Sequence, residues 1–460
     1  MIPCPAPEAA SCSALRWERM VAVSVIGLAR EVRSGAALFG FAAGFNPRAL
    51  TRGGALGQSC CVIGAGQGGQ NVTHASRLGW EEMKLTDILP ELTAEMRARV
   101  RAPLAQAWTL PPAAYTSAEI YAREEARIFR RGWWPLARLD QVGQPGDFLS
   151  LDLAGQPVMV VHGHDGKVRV LSRVCRHRAA LVAEGAGNRK LFTCPYHSWS
   201  YDTGGALVRA PLMEGAEGFD PAACNLPEIR SEVWEGFILA NLDAEARSFA
   251  PQVETYTRYF ENFRLSDLIV ARTLEFEHGW NWKVLVENFM EAYHHIGVHP
   301  ETFEPAFHAR DSRVPESDGP WSILHMPSAH PDEPSILPPP PGLEDWQAKD
   351  LFASVVFPHF LLGIQGASVL WYQLFPKGPD RLSLKIHICL PFWLKEAEGF
   401  EDIVEGTAQF ATAIHMEDIA ANDSVWAGLT APMTGQGRLS PLEKSIWQMN
   451  QWWLDQMTGV

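Results

Sequence analysis

Two short segments in the middle of the chain space their cysteines and histidines as metal ligands are spaced. The first, CRHRAALVAEGAGNRKLFTCPYH, pairs Cys175 with His177 and Cys194 with His197, with sixteen residues between the pairs. Two turns joined by a hairpin-length excursion can bring all four side chains to one inorganic centre. Two cysteines and two histidines fit a structural zinc site, and they also fit a [2Fe–2S] cluster with thiolates on one iron and imidazoles on the other.

The second segment, ENFMEAYHHIGVHPE, contains three histidines and three glutamates. A helix turns about 100° per residue, so Glu291 shares a face with both His294 and His295. The same spacing favours His295 with His299 as a pair, since His294 and His299 diverge by about 140°. On a continuous helix, His295 and His299 are therefore the expected pair.

Two residues in this segment weaken a continuous helix. Gly297 lowers the helix propensity, and Pro300 pushes the residue before it toward an extended conformation. If the helix ends here, His299 can turn back toward His294, and these two become the pair instead. Residue spacing alone therefore leaves the pairing of the histidines open.

The residues that flank the first segment carry a family resemblance. CRHR followed by CPYHSWSYDTGG resembles the Rieske signature of the aromatic-ring-hydroxylating oxygenases, which holds a [2Fe–2S] cluster. Ala179 and Ser198 stand where that family usually has glycine, so we expect a local adjustment of the backbone there. The resemblance implies these cluster ligands: Cys175, His177, Cys194 and His197.

The second segment resembles the mononuclear-iron motif of the same oxygenases. NWKVLVENFMEAYHHIGVHPE is similar to a pattern with an asparagine, an acid and two histidines five residues apart. On this match His294 and His299 are the iron ligands, and His295 is a neighbour that does not bind. Glu291 is then the electron bridge between the two metal centres, and Asn288 is a candidate for the substrate pocket.

Two histidines and one carboxylate form the facial triad of non-haem Fe(II) oxygenases, which leaves coordination positions open for O₂ and substrate. The carboxylate must come from elsewhere in the chain. IHMEDIAANDSVWAGL resembles the acidic C-terminal segment of the family, which implies Asp418 as the third ligand. Glu417 and Asp423 are the rival acids.

The resemblance covers roughly residues 100–460 and implies an α+β chain. An all-β Rieske [2Fe–2S] domain is expected beside a helix-grip catalytic domain, in which a curved antiparallel sheet wraps long helices. The implied cofactors are the [2Fe–2S] cluster and a mononuclear Fe²⁺. NAD(P)H supplies electrons through a separate reductase, a ferredoxin or both. The family forms head-to-tail homotrimers, in which electrons are expected to pass from His197 through Glu291 to His294 of the next subunit.

The resemblance leaves the substrate open. The glutamate at the bridge position favours a homotrimeric monooxygenase or demethylase that acts on a small aromatic or amine-type molecule. A cis-dihydroxylating aromatic ring dioxygenase alpha subunit is the alternative within the family. A Rieske electron carrier fused to a ligand-binding domain is the alternative from another class. Trp371 and Tyr372 can surround a quaternary ammonium, with core packing as their competing role.

The elements that must position these residues divide the chain into four parts. Residues 1–82 are rich in Ala, Gly and Ser, and we interpret them as a poorly structured extension, or as upstream sequence before a start at Met83. Residues 83–135 are predicted to be a helical segment. Residues 136–245 are predicted to be the Rieske domain, and residues 246–460 the catalytic mononuclear iron domain.

Local patterns predict several elements within these parts. NWKVLVENFMEAYHH is predicted to form one helix, residues 310–342 a long proline-rich loop, and RLSLKIHICL a strand. The remaining signals are a capping box at Thr116 and Glu119, hairpin turns at Ala154-Gly155 and Asp165-Gly166, and a helix start at Ser440, Pro441 and Glu443. A G-x-G-x-x-G pattern at Gly64, Gly66 and Gly69 has too little chain around it for a dinucleotide-binding domain.

The composition narrows the classes of function. The chain is 47% hydrophobic and 20% charged, with a net charge of −14. The acidic balance argues against a nucleic-acid partner, since binding phosphates needs a basic face. No apolar run near the N-terminus reaches the roughly 20 residues of a spanning helix, so no membrane partner is expected. Eight cysteines do not form a disulfide framework at this length, and we expect a cytoplasmic protein.

Overall fold

The computed structural model describes residues 92–459. The predicted extension over residues 1–82, the start at Met83 and the glycine pattern at Gly64, Gly66 and Gly69 lie outside the described residues. Across residues 92–459, none of the helices combines the length and the apolar character needed to cross a lipid bilayer.

The described part of the chain contains α-helices and antiparallel strands, with most of the strands in uninterrupted runs. The α-helices are Ala94–Arg101 (α1), Ala113–Thr116 (α2), Ala118–Glu124 (α3), Phe249–Gln252 (α4), Glu254–Tyr259 (α5), Trp282–Phe289 (α6), His295–Val298 (α7), Asp345–Lys349 (α8), Phe400–Leu429 (α9) and Lys444–Thr458 (α10). The strands are Trp134–Arg138 (β1), Asp147–Leu153 (β2), Gln156–His162 (β3), Val168–Ser172 (β4), Ala186–Asn188 (β5), Leu191–Thr193 (β6), Ser200–Asp202 (β7), Leu207–Arg209 (β8), Glu228–Trp234 (β9), Phe237–Asn241 (β10), Leu268–His278 (β11), Trp321–Met326 (β12), Leu351–Val356 (β13), Phe360–Gln365 (β14), Ser368–Gly378 (β15) and Arg381–Pro391 (β16).

The first two sheets hold the cysteine–histidine loops. A seven-stranded sheet has the order β1-β10-β9-β4-β3-β2-β5, and a three-stranded sheet has the order β6-β7-β8. The predicted turns at Ala154-Gly155 and Asp165-Gly166 are confirmed, since they join β2 to β3 and β3 to β4 in antiparallel register. Positive φ angles at Ala154, Gly155 and Gly166 make these turns tight enough for adjacent strands.

The third sheet is formed by the second half of the chain. Its six antiparallel strands have the order β11-β16-β15-β14-β13-β12. The predicted strand RLSLKIHICL is confirmed as β16, whose Leu382, Leu384 and Ile386 are fully buried. Because side chains alternate across a strand, these leucines and isoleucine share one face of the sheet, which packs into the core that also contains helix α6.

Helix α6 is anchored to the N-terminal helices by a buried ion pair. Lys283 Nζ lies 2.6 Å from Glu124 Oε1, and neither side chain is exposed. The indole N–H groups of Trp282 and Trp453 also donate to Glu124. One carboxylate therefore ties α3, α6 and α10 together, and α6 leads directly into the histidine segment.

Three local predictions are wrong in detail. Helix α3 is capped by Ser117, whose side chain accepts from Ile120 N, because the Thr116 hydroxyl bonds back to Pro112 O instead. The predicted loop over residues 310–342 contains strand β12, which pairs with β13. The apolar run WSILHM within the polar stretch is the signal that identifies this strand.

The third error concerns the histidine segment itself. NWKVLVENFMEAYHH is not one helix, since α6 ends at Phe289 and the one-turn helix α7 begins only at His295. The chain leaves the helix at Met290, well before Gly297. At the C-terminus, the predicted helix start is confirmed: Ser440 and Glu443 form a capping box around Pro441, and α10 follows.

Candidate metal centres

The two cysteine–histidine loops have the same backbone hydrogen bonds. In each loop the cysteine carbonyl accepts from the N–H four residues on, and the cysteine N–H donates to the carbonyl five residues on, at 2.8–3.1 Å. The fourth residue after each cysteine, Ala179 or Ser198, has a φ of 58° or 59°. Both therefore adopt the left-handed conformation that favours glycine. The expected backbone adjustment thus takes the form of strained φ angles in two otherwise matching loops.

The cysteines and histidines of these loops lie on opposite sides. Cys175 and Cys194 are buried, whereas His177 and His197 are exposed, with their ring centroids 4.5 Å apart. The ring of His177 stacks on the buried Trp199 at 5.0 Å. Thiols on the inside and imidazoles at the surface fit a [2Fe–2S] cluster whose two irons take different ligands.

A single zinc ion fits this arrangement less well. A tetrahedral zinc site brings all of its ligand atoms close to one point. Over residues 92–459, the set of three or more candidate ligand atoms that lie within 4.8 Å of one another is His294, His299 and Asp418, and the cysteine–histidine loops do not form such a set. The separation by ligand type therefore favours the cluster.

A tyrosine lies against one of the buried thiols. The hydroxyl oxygen of Tyr201 is 3.3 Å from Cys175 Sγ and accepts a hydrogen bond from Arg176 N at 3.0 Å. Burial, together with the hydrogen bond to Cys175, raises the pKa of Tyr201 well above its usual value. The hydroxyl therefore keeps its proton, which it can donate to the sulfur when Cys175 is a thiolate.

The second site is built where the chain leaves α6. Glu291 Oε2 accepts from His294 N at 3.0 Å, and this side chain-to-backbone bond forms the turn that leads into α7. The helical face predicted for Glu291 and His294 does not exist, yet the two side chains still meet. Oε1 of the same carboxylate lies 2.5 Å from His294 Nδ1.

His294, His299 and Asp418 converge. Asp418 Oδ1, from the middle of helix α9, lies 2.9 Å from His299 Nε2 and 3.6 Å from His294 Nε2. Burial raises the pKa of Asp418, but hydrogen bonds and charge from the histidines outweigh burial and lower that pKa below its usual value. Asp418 is therefore a carboxylate that faces two imidazole nitrogens.

The Nδ1 atoms of His294 and His299 each contact the carboxylate of a glutamate. His294 Nδ1 contacts Glu291, and His299 Nδ1 lies 2.6 Å from Glu417 Oε2. The hydroxyl of Thr302 donates to the same Glu417 oxygen at 2.8 Å. A proton held on each Nδ1 leaves each Nε2 free to bind, and this arrangement is typical of histidines that ligate metals. The residues present therefore fit a mononuclear metal ion with two imidazoles and one carboxylate.

Three residues considered as ligands lie outside this set. His295 is buried against Phe303, with ring centroids 5.2 Å apart, and burial lowers its pKa to about 3. Asp423 accepts from the indole N–H of Trp280. Glu417 binds the far nitrogen of His299. Sequence reasoning missed this role of Glu417 and the part of Thr302; the only signal was that Glu417 adjoins Asp418.

An amide side chain contacts Asp418, and aromatic side chains lie in the same region. Asn288 Nδ2 donates to Asp418 Oδ1 at 3.1 Å. The ring of Phe289 lies 4.8 Å from that of Tyr372 on strand β15, and burial, with a smaller contribution from the charge of Asp418, raises the pKa of Tyr372. Trp371, the neighbour of Tyr372, points to the opposite face of the sheet and packs on Phe237. The two aromatics therefore cannot surround one ligand together.

Comparisons with known proteins cover both sites. Residues 132–225 match the family model of the Rieske [2Fe–2S] domain, and residues 265–459 match that of the ring hydroxylating alpha subunit (catalytic domain). The carnitine monooxygenase oxygenase subunit of Acinetobacter baumannii is 31% identical over 197 residues, 42% of this chain and 53% of that protein. The chain thus spans about half the length of that relative. Chloroplastic choline monooxygenase of Arabidopsis thaliana is 27% identical over 365 residues, 75% of this chain and 82% of that protein.

Solved structures share the fold. A quaternary ammonium Rieske monooxygenase, CntA, in complex with an inhibitor has a TM-score of 0.67 at 22% identity, covering 76% of this chain and 95% of that one. Naphthalene 1,2-dioxygenase from Rhodococcus sp. bound to indole has a TM-score of 0.64 at 19% identity, covering 80% and 99%. At these identities the likeness shows the α+β fold alone, and it confirms that part of the expectation.

Proposed function

We propose that this chain, which carries both domains of a Rieske oxygenase alpha subunit, is a terminal oxygenase component. It uses O₂ and electrons from a separate reductase, a ferredoxin or both to hydroxylate or oxidatively demethylate a small amine-type substrate. The observation that carries this proposal is the convergence of His294, His299 and Asp418 in the same chain as the two cysteine–histidine loops. An electron carrier fused to a ligand-binding domain does not need three residues that converge to bind a second metal ion.

The side-chain geometry supports the proposed ligand assignments. Cys175 and Cys194 would hold one iron of the cluster, and His177 and His197 would hold the other. His294, His299 and Asp418 would hold the mononuclear Fe²⁺. The chemistry supplied at these two sites is one-electron transfer at the cluster and O₂ activation at the mononuclear iron.

Within the catalytic site the protein orients ligands and shapes a pocket. Glu291 and Glu417 hold the Nδ1 protons of the two histidines, which fixes their tautomers. Asn288 fixes one oxygen of Asp418. Phe289 and Tyr372 form an aromatic pair, Tyr372 is within electrostatic range of this carboxylate, and aromatic faces attract alkylammonium groups. The carnitine and choline monooxygenases among the relatives support a tertiary or quaternary amine as the substrate class.

The electron path is proposed to cross between subunits of a head-to-tail homotrimer. The cluster side exposes His197 beside Tyr196, whose side chain is 54% exposed. The catalytic side exposes Tyr293 and Ile296, which flank His294 and are 51% and 58% exposed. Apolar side chains left open at both sites suit burial against a second copy. Glu291, hydrogen-bonded to His294, is the bridge to a neighbour's His197.

A substrate panel tests the proposal. The protein, a reductase, NADH and O₂ are combined with choline, carnitine, trimethylamine or naphthalene, and the organic products are scored in place of NADH loss. An amine should yield an aldehyde or a demethylated product, and Asp418→Ala should abolish it. A cis-diol from naphthalene, with no amine product, would establish the dioxygenase alternative. Iron analysis distinguishes the proposed oxygenase from the electron-carrier alternative. An electron carrier binds only the two irons of its cluster, whereas the oxygenase binds a third iron at the mononuclear site.

A further inference from the structure

The position of Asp418 depends on a long helix. Helix α9 has 30 residues, which corresponds to about 45 Å, and Asp418 lies in its middle. A small shift or rotation of such a helix moves the carboxylate away from His294 and His299. What holds this particular turn of α9 therefore matters for metal binding.

Two side-chain contacts bracket Asp418 on that helix. Three residues before it, His415 Nε2 lies 3.1 Å from His278 Nε2. Five residues after it, Asp423 Oδ1 accepts from Trp280 Nε1 at 3.0 Å. At 100° per residue, His415 and Asp423 point within about 80° of each other and lie about 12 Å apart along the axis. Relative to Asp418, His415 points about 60° away and Asp423 about 140° away in the same rotational sense, so both contacts lie on one flank of α9 to the side of the carboxylate.

Both partners come from one rigid element. His278 is the last residue of strand β11, and Trp280 follows two residues later. The imidazole stacks on the indole with centroids 4.2 Å apart and planes 11° apart, and both side chains are buried. Asn281 then caps helix α6, which carries Asn288 to Asp418. The strand end and the helix start thus contact the same stretch of α9, about two turns long, from one continuous segment of the chain.

We infer that His278 and Trp280, here called the His278–Trp280 clamp, are positioning residues for the metal-binding carboxylate. Neither touches the triad, and both act through α9. The histidine pair supplies a contact that a simple apolar pair lacks. Between two neutral imidazoles one Nε2 donates and the other accepts, so the 3.1 Å contact constrains both the distance and the orientation of the rings. The inference rests on the proposed metal site but not on any substrate.

The test measures Co²⁺ binding at the mononuclear site in protein that retains its cluster. His278→Phe and Trp280→Phe keep the stacked aromatic rings and remove the hydrogen-bonding nitrogens. Each should weaken Co²⁺ binding about tenfold, at the lower end of the effects seen for residues that orient ligands. The visible spectrum of bound Co²⁺, which reports its ligand geometry, should change as well. His278→Gln, whose amide can still bond His415, should restore most of the affinity.

A matched control is His359→Phe. His359 is also buried and packs against Trp134, with ring centroids 4.1 Å apart and planes tilted by 56°, but its Nε2 has no hydrogen-bond partner within residues 92–459. This variant should leave Co²⁺ affinity and spectrum unchanged. Unchanged affinity in both clamp variants, or an equal loss in the control, would overturn the inference. If Asp418→Ala also leaves Co²⁺ binding intact, the proposed metal site itself fails.

Discussion

Removing the hydroxyl of Tyr201 should lower the reduction potential of the cluster. The side chain is fully buried, and its hydroxyl lies 3.3 Å from Cys175 Sγ. Tyr201→Phe deletes one oxygen and leaves the ring in place. The reduced cluster carries one more negative charge than the oxidised cluster, so a hydrogen bond to its sulfur ligand stabilises the reduced form more.

The size of the effect follows from the energy of one hydrogen bond. Bonds to charged groups contribute about 1.5–3 kcal/mol, and roughly half of that is expected to differ between the two oxidation states. A difference of about 0.75–1.5 kcal/mol equals a fall of about 30–65 mV for one electron, at 59 mV per tenfold change. The Arg176 N–H also loses its acceptor, but that loss affects both oxidation states and cancels in the potential.

The assay is a redox titration followed by the visible and electron paramagnetic resonance spectra of the cluster. Tyr196→Phe is the matched control, because Tyr196 also adjoins a predicted ligand but is 54% exposed. Its potential should stay at the wild-type value. A potential for Tyr201→Phe that is unchanged or higher, with the cluster intact, would refute the assignment of Tyr201 as a donor to the sulfur.

Four further predictions concern the sites and their supports. His294→Ala and His299→Ala should each lose the mononuclear iron and keep the cluster spectrum, whereas His295→Ala should keep both; metal analysis that shows the reverse contradicts the triad. Lys283→Met should lower the free energy of unfolding by about 3–5 kcal/mol because it leaves Glu124 charged and buried, and adding Glu124→Gln should recover part of this in denaturant titrations. Ala179→Gly should stabilise the cluster domain by up to about 1 kcal/mol, as relief of about 1–2 kcal/mol of left-handed strain exceeds the entropic cost of glycine, whereas Ala183→Gly, at an ordinary φ, should destabilise it. Mixing a Cys194→Ala protein with an Asp418→Ala protein should restore activity if electrons cross between subunits, and no recovery after demonstrated subunit exchange would exclude that path.

The histidine segment shows where sequence reasoning reached its limit. Spacing on a continuous helix favoured His295 with His299, and only the family resemblance selected His294. The structure explains the failure: α6 ends at Phe289, and Glu291 binds the backbone of His294. A carboxylate that competes for a backbone N–H breaks a helix without glycine or proline. Whether Glu291 binds this N–H depends on the position of the His294 imidazole, which contacts between distant parts of the chain determine.

Other features were within reach of the sequence. The hairpin turns and the capping box at Ser440 are encoded locally, and both are confirmed. The neighbours Trp371 and Tyr372 had to face opposite sides of any strand, so only one of them could lie near Asp418. Asn288 was a weak candidate on motif position alone, and its bond to Asp418 depends on how α6 packs against α9. Contacts between distant elements were not accessible to spacing arguments.

The adjacent acids on α9 illustrate this difference most clearly. As sequence, Glu417 and Asp418 were alternatives for one ligand position. In the structure they contact the same imidazole, with Asp418 at Nε2 of His299 and Glu417 at Nδ1. Consecutive helical residues point about 100° apart, which suits the two edges of one ring. On the proposed assignment the two acids have complementary functions: Asp418 would complete the triad, and Glu417 would fix the tautomer with which His299 binds the metal.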